Sequence, residues 1–205
     1  MQTYRDVNKL VITCRRTAED GLRFVNLDLD TLRVVVFCDA SFANADHYKS
    51  QLGFCVLLVD GNDKANIVHF GSKRCVRVTR SVMAAELHGL LTGFDHGLLV
   101  AEMVSNILGR KVDIEAMVDS KTVFDTVTRL SNTLEKRLQI DAYALQEAHK
   151  KGELAALFWI SSCDNVADPL TKHPWQEQSA LRRLMKENKL RVKPTGWCHR
   201  IARED

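Results

Sequence analysis

Short apolar runs occupy the first third of this chain, after an amphipathic N-terminal segment. They cover residues 33–38, 51–59 and 65–70. The first run is β-branched and nearly continuous, which is typical of a strand buried on both faces. Residues 60–63, with the sequence Asp-Gly-Asn-Asp, form a strong turn signal between the second and third runs. We therefore predict three strands with short links, as in an antiparallel meander.

A long amphipathic stretch follows and predicts a helix over residues 81–108. Thr79 or Ser81 is suited to cap its start, and Gly109 to end it. Its apolar face repeats at helical spacing through Met83, Leu87, Leu90, Leu91, Phe94 and Leu98.

The second half of the chain predicts βα crossovers. Strands are expected at residues 112–118 and 154–160, and helices at 120–130, 134–151, 166–171 and 176–188. Together with the meander, this βββαβαβα order predicts an α/β protein with a mixed five-stranded sheet and helices on both faces. The first 30 residues predict a helix and then a short extended piece at residues 22–25.

Four acidic residues lie in distinctive positions of this pattern. Asp39 and Asp119 each follow an apolar run, Glu86 lies near the start of the long helix, and Asp168 precedes a proline. The carboxyl ends of neighbouring parallel strands meet at one edge of a sheet, so these acids would converge there if the first and fourth strands pair. Oxygen ligands without His or Cys favour Mg²⁺, with Mn²⁺ as a substitute. Two such ions ~3.5–4 Å apart can support phosphodiester hydrolysis.

Each acid also has a purely structural explanation. Asp39 and Asp119 are suited to cap a helix, and each is followed closely by a serine that is suited to the same role. Glu86 alone fits a solvated helix position, and Asp168 fits the start of a turn. The metal site is therefore predicted from the four acids taken together.

Composition adds three constraints. A length of 205 residues with 45% hydrophobic residues favours one core. The six cysteines show no zinc-ligand spacing, so we expect reduced thiols and no structural zinc. With no apolar leader and no run of membrane-spanning length, we expect a cytoplasmic or nuclear protein without a membrane partner.

The net charge of +3 is concentrated near the C-terminus. Residues 174–205 carry eight Lys or Arg and four Asp or Glu, whereas the remaining 173 residues sum to −1. A basic tail is mild support for a polyanionic partner. We predict three regions: a connecting N-terminal segment at 1–30, the α/β domain at 31–173, and a partly helical basic tail at 174–205.

The local settings of the four acids resemble those of the ribonuclease H domain of copia-type LTR retrotransposon polyproteins. The similarity runs in order through residues 39–44, 50–54, 80–86, 118–120 and 167–172, and residues 7–32 resemble the connection after the reverse transcriptase. The resemblance implies a ribonuclease H-like fold, hydrolysis of RNA paired to DNA with two Mg²⁺ ions, and a reverse transcriptase or virus-like particle as context. It assigns metal binding and catalysis to Asp39, Glu86, Asp119 and Asp168.

One departure from cellular ribonucleases H is visible. Those enzymes usually carry a histidine in the loop before the last aspartate, but residues 161–165 contain none, and His173 follows Asp168 instead. Copia-type domains do not rely on that histidine.

Residues 72–80 form a basic linker into the helix that carries Glu86, so phosphate contact is predicted there. Further nucleic-acid contacts are predicted in the loop after Asp39, where polar groups can recognise sugar hydroxyls. The predicted contact residues are Ser41, Asn44, Gln51, Lys73, Arg74, Arg77 and Arg80, with Ser50 as a weaker candidate.

Two other functions fit parts of the pattern. A non-catalytic module that binds nucleic acid or docks on a polymerase would bind with a steep salt dependence and no hydrolysis. An integrase-like transferase of related fold needs acids in the order Asp, Asp, Glu. Here Glu86 comes between Asp39 and Asp119, which favours ribonuclease H.

Overall fold

The structure is a computed structural model, and it describes residues 2–128, 136–172 and 179–199. Its strands are β1 (Arg33–Ala45), β2 (Lys49–Val59), β3 (Ala65–Arg74), β4 (Ile114–Val118), β5 (Ala156–Trp159) and β6 (Gly196–His199). Its helices are α1 (Gln2–Arg16), α2 (Val82–Leu108), α3 (Lys121–Thr128), α4 (Lys136–Lys151) and α5 (Ala180–Glu187).

The strands form one mixed sheet in the order β3-β2-β1-β4-β5-β6. β1 pairs antiparallel with β2 and parallel with β4, and β4 pairs parallel with β5. The meander is therefore confirmed, and the first and fourth strands are neighbours, which is the condition under which Asp39 and Asp119 would converge. The five predicted strands are present, and a sixth strand, β6, adds antiparallel to β5.

Helices cover both faces of the sheet, as predicted. One face packs against α2, α3 and α4 through a core that includes Val34, Val36, Leu87 and Leu90. The other face packs against α5 and the segment after β5, with Phe37 and Leu57 at its centre. Successive residues of β1 thus enter different cores, because side chains alternate along a strand.

Helix α2 lies very close to β1 because three glycines face the strand. A Cβ at Gly89 would lie 3.0 Å from the Asp39 carbonyl oxygen. At Gly93 it would lie 2.4 Å from the Cys38 sulfur, and at Gly97 2.4 Å from a Val36 methyl carbon. These contacts position the start of α2, which carries Glu86, beside the sheet.

Several predicted boundaries differ from the structure. β1 continues to Ala45, seven residues past the apolar run, because the polar residues after Cys38 still pair with β2. Residues 22–25 form no strand; Val25 instead donates its N–H to the Asn66 side chain at 2.9 Å. The helix predicted at 166–171 is only a 3-10 turn, Asp168–Leu170.

The ends of two predicted helices cannot be compared. Residues 129–135, expected at the helix boundaries between α3 and α4, and residues 173–178 lie outside the described part of the chain. Within the predicted tail, α5 buries Leu181 and Leu184 against the sheet. None of the described helices has the length and apolarity needed to cross a membrane.

Candidate metal centre and nucleic-acid groove

Three carboxylates converge at one end of the sheet. Asp39 lies in β1, Glu86 in the second turn of α2, and Asp119 directly after β4. One oxygen from each lies within 4.8 Å of one from each of the others. Three predicted site residues from three separate elements are therefore brought together.

The position of Asp39 differs from the sequence prediction. Asp39 is inside β1, opposite Gly53 of β2, rather than at the end of the strand. However, the parallel pairing with β4 ends at Phe37 and Met117. Asp39 thus lies just past the β1–β4 ladder, next to the residue that follows β4, which is why Asp119 can reach it.

The local hydrogen bonds argue against simple helix capping by these acids. Ser81 caps α2 by accepting a hydrogen bond from the Ala84 N–H at 3.1 Å. Ser120 accepts one from the Val123 N–H at the start of α3, at 3.4 Å. Since serines occupy both capping positions, Asp119 is not needed as a cap, and Asp39 lies within a strand.

Burial and mutual repulsion raise the pKa values of two of the carboxylates. Asp39 is 2% exposed. Burial raises its pKa to about 6, partly opposed by a hydrogen bond from Thr171 and reinforced by the charge of Asp119. Burial, followed by the charges of Asp39 and Asp119, raises the pKa of Glu86 to about 8. Three charged carboxylates this close together destabilise the fold unless they share a bound cation.

The donor set fits a hard divalent cation. The group consists of Asp39, Glu86 and Asp119, which offer only oxygen ligands. Carboxylate oxygens are the ligands that Mg²⁺ and Mn²⁺ prefer. A cation held by these three residues would also offset the repulsion that raises the pKa of Asp39 and Glu86.

Asp168 lies near this group, but outside it. Its charge acts on Asp39 and raises the pKa of that residue. However, its carboxylate forms an ion pair with the ammonium of Lys172, four residues later. Among the described residues, Asp168 is therefore the one predicted ligand that the structure does not place within 4.8 Å of the other three.

A groove of about 580 Å³ is lined in part by Thr171 and Lys172, whose side chains bond the carboxylates of Asp39 and Asp168. Four of the predicted nucleic-acid contacts line it: Asn44, Gln51, Lys73 and Arg74. Its other side is formed by residues 169–172. The groove therefore contains basic side chains, which are suited to contact a phosphate backbone.

Two of these polar side chains also hold the site together. The Asn44 amide donates to the Thr171 carbonyl oxygen at 3.3 Å, and the Gln51 amide donates to the Ser72 hydroxyl at 2.8 Å. Ser72 in turn donates to the Leu170 carbonyl oxygen. The segment that carries Asp168 is therefore hydrogen-bonded to β1 and β3, and Gln51 of β2 holds the Ser72 side chain that makes the second of these bonds.

The other predicted contacts lie outside this groove lining. Arg77 and Arg80 are exposed in the linker before α2, and Ser41 is half-buried in β1. Ser50 is fully buried, and its hydroxyl bonds the Thr79 hydroxyl at 2.6 Å. Ser50 is therefore a structural residue rather than a nucleic-acid contact. His173 lies outside the described residues.

Sequence reasoning assigned no role to three residues that shape the site. Thr171 donates its hydroxyl to the Asp39 carboxylate. Asn165 is 1% exposed and donates its amide to the Cys38 carbonyl oxygen at 3.0 Å. Lys172 pairs with Asp168. Thr171 and Lys172 belong to the motif at residues 167–172, and Lys172 has i, i+4 spacing from Asp168. No local signal indicates the contacts of Thr171 and Asn165, because each spans 127 residues or more.

Comparisons with known proteins identify the fold. No family model and no curated protein matches the chain. LC11-RNase H1, isolated from compost by a metagenomic approach, superposes with a TM-score of 0.51 and 17% identity, covering 67% of this chain and 91% of that chain. LC11-RNase H1 in complex with an RNA/DNA hybrid superposes with a TM-score of 0.51 and 14% identity, covering 70% of this chain and 96% of that chain.

A weaker similarity is to the protease-reverse transcriptase of prototype foamy virus. Its TM-score is 0.42 at 11% identity, covering 85% of this chain and 23% of that chain, and it carries no further argument. At such identities the comparisons establish architecture. The chain has a ribonuclease H-like fold, with three of its predicted site acids clustered at one end of the sheet.

Proposed function

We propose that this chain is a divalent-metal-dependent endonuclease that hydrolyses the RNA strand of RNA–DNA hybrids. The observation that supports this most directly is the convergence of Asp39, Glu86 and Asp119 within 4.8 Å, in a ribonuclease H-like fold. A neighbour of the same fold has been solved with an RNA/DNA hybrid. The basic groove next to the acids gives such a hybrid a binding surface.

The roles of the residues follow from their positions. Asp39, Glu86 and Asp119 would hold Mg²⁺ or Mn²⁺, with Asp168 as a fourth acid. When bound there, divalent cations lower the pKa of attacking water and neutralise charge that develops on the phosphate. Lys73 and Arg74 would bind the sugar–phosphate backbone. Asn44 and Gln51, which line the same groove, and Arg77, Arg80 and Ser41, which lie outside its lining, are further proposed contacts.

The biological setting is also proposed. The ordered motifs between residues 39 and 172 support an origin in a copia-type retrotransposon, where hybrid cleavage removes the RNA template during DNA synthesis. In that setting a reverse transcriptase domain is the expected protein partner. The chain would then act in the cytoplasm, within a virus-like particle, or in the nucleus.

The test is cleavage of an end-labelled RNA–DNA hybrid by the whole chain in Mg²⁺, in Mn²⁺ and in EDTA. We expect RNA fragments with 3′-hydroxyl ends in either metal and none in EDTA. Asp39→Asn should abolish cleavage, whereas Asp113→Asn, which removes an exposed carboxylate just before β4, should not. Hybrid binding without hydrolysis in both metals would instead establish the non-catalytic module.

A further inference from the structure

Lys172 provides a positive charge at the acid cluster. Its ammonium pairs with Asp168 and also acts electrostatically on Asp39 and Asp119. The Lys172 side chain is 49% exposed, whereas that of Asp168 is 24% exposed. The lysine is therefore the more solvent-exposed partner of the ion pair.

The ion pair has a consequence for metal binding. A divalent cation that uses Asp168 as a ligand must displace the ammonium from that carboxylate, so the ion pair opposes binding there. The three carboxylates of Asp39, Glu86 and Asp119 carry no such ion pair in the described structure and already lie within 4.8 Å of one another. The first cation would bind to these three residues.

The residue before Lys172 is held in place by hydrogen bonds. The Thr171 hydroxyl donates to Asp39 and lies 3.1 Å from the Asp168 carbonyl oxygen. The Thr171 carbonyl accepts from Asn44. Lys172 also lines the groove that contains Lys73 and Arg74. Its ammonium can therefore exchange a carboxylate for a phosphate without a change of fold.

We propose that Lys172 withholds Asp168 from the metal centre until a backbone phosphate in the groove draws the ammonium away. Lys172 is then a positioning residue that couples substrate binding to completion of the metal centre. This inference rests on the proposed function, since it presumes that the acids bind a divalent cation.

The test measures metal binding to the whole chain without nucleic acid. Mn²⁺ affinity would be determined by isothermal titration calorimetry and by the electron paramagnetic resonance signal of free Mn²⁺. Lys172→Gln should bind Mn²⁺ about fivefold more tightly than the unmodified chain, as expected for release of a half-exposed ion pair. Lys172→Arg, which keeps the charge, should bind like the unmodified chain.

Two further variants separate this mechanism from a general effect of charge. Lys111→Gln removes a lysine just before β4 and should leave the affinity unchanged. In an Asp168→Asn background, Lys172→Gln should give less than half of its gain. Equal affinities for Lys172→Gln and the unmodified chain, an equal gain in the Asp168→Asn background, or no Mn²⁺ binding at all would overturn the inference.

The outcome is distinguishable from that of the proposed function. Metal binding that follows the predicted pattern in a chain that cleaves no hybrid would overturn the nuclease proposal alone. Hybrid cleavage by a chain in which Lys172→Gln binds Mn²⁺ unchanged would overturn only the role of Lys172.

Discussion

The Thr171 hydroxyl donates a hydrogen bond to the carboxylate of Asp39, which lies 132 residues earlier in the chain. This bond orients the most buried of the clustered acids and lowers its pKa against the effect of burial. Thr171 comes from the segment after β5, whereas Asp39 comes from β1. The contact therefore links two segments that are distant in the sequence at the proposed metal centre.

Removal of this hydroxyl should impair cleavage without unfolding the chain. Thr171→Val keeps the shape of the side chain but leaves Asp39 without its donor. We expect at least about tenfold slower hybrid cleavage at pH 7, from the usual contribution of a hydrogen bond to a charged group. Since the pKa of Asp39 should rise further, the loss should be smaller at pH 9. Thr171→Ser should retain most of the activity, and equal losses in both variants would exclude this role.

Glu86 should destabilise the metal-free protein at alkaline pH. Its pKa is raised from 4.5 to about 8, so the cost of its charge is absent below about pH 4.5 and fully present above about pH 8. In EDTA at pH 8.5, we expect the free energy of unfolding of Glu86→Gln to be about 2 kcal/mol higher than that of the unmodified chain. At pH 4 the two should be similar.

Urea unfolding at both pH values checks this expectation. Glu102→Gln, an exposed position on the same helix, is the matched control and should have no such effect. Saturating Mg²⁺ should stabilise the unmodified chain at pH 8.5 and remove the advantage of Glu86→Gln. A pH-independent difference would contradict the assigned cause.

Gly53 should be intolerant of even one added methyl group. A Cβ there would lie 2.7 Å from a Thr171 methyl carbon and 3.0 Å from the Leu170 Cβ. Gly53→Ala should therefore displace the segment that carries Asp168, destabilise the chain by about 1–3 kcal/mol and slow hybrid cleavage. Gly21→Ala, where the added Cβ meets no atom within 4 Å, should do neither. Thermal unfolding and the cleavage assay measure both effects.

Asp60 should stabilise the fold as a charged residue far from the acids. Burial raises its pKa, but the N–H groups of Asp28, Lys64 and Asn62 outweigh that effect and hold the pKa below its ordinary value. The stabilisation is thus present above about pH 4 and lost as the pH falls through the lower native pKa. Asp60→Asn should cost about 1–3 kcal/mol at pH 7. The difference in free energy of unfolding should decrease towards pH 2. A difference that does not change with pH would exclude the charge of Asp60 as the source of the stabilisation.

Much of the fold could be predicted from periodicity. The meander, the long helix and the crossovers follow from local runs, and the turn at residues 60–63 has a distinctive composition. The polar half of β1 could not be recognised, because its pairing with β2 depends on a register that no local pattern reveals. The strand β6 has four residues, too few for a periodic signal.

The candidate site was predicted at the level of residue type rather than geometry. The sequence predicts that Asp39 and Asp119 meet if the first and fourth strands pair. The structure has that pairing, and Glu86 in α2 completes the group. The ion pair that separates Asp168 from them depends on a 3-10 turn, which apolar spacing does not predict. Likewise, the donors to Asp39 and to the Cys38 carbonyl come from more than 120 residues away.

The three glycines on the inner face of α2 would influence the ion selectivity of the proposed metal centre. They bring the helix into contact with β1 from Val36 to Asp39, so the separation between Glu86 and Asp39 is set largely by the backbone rather than by adjustable side chains. A metal site with a fixed separation between its carboxylates would favour Mg²⁺ over Ca²⁺, because Ca²⁺ needs longer bonds and more ligands. Preference for the smaller ion would then originate along a helix face one to three turns away from the carboxylates.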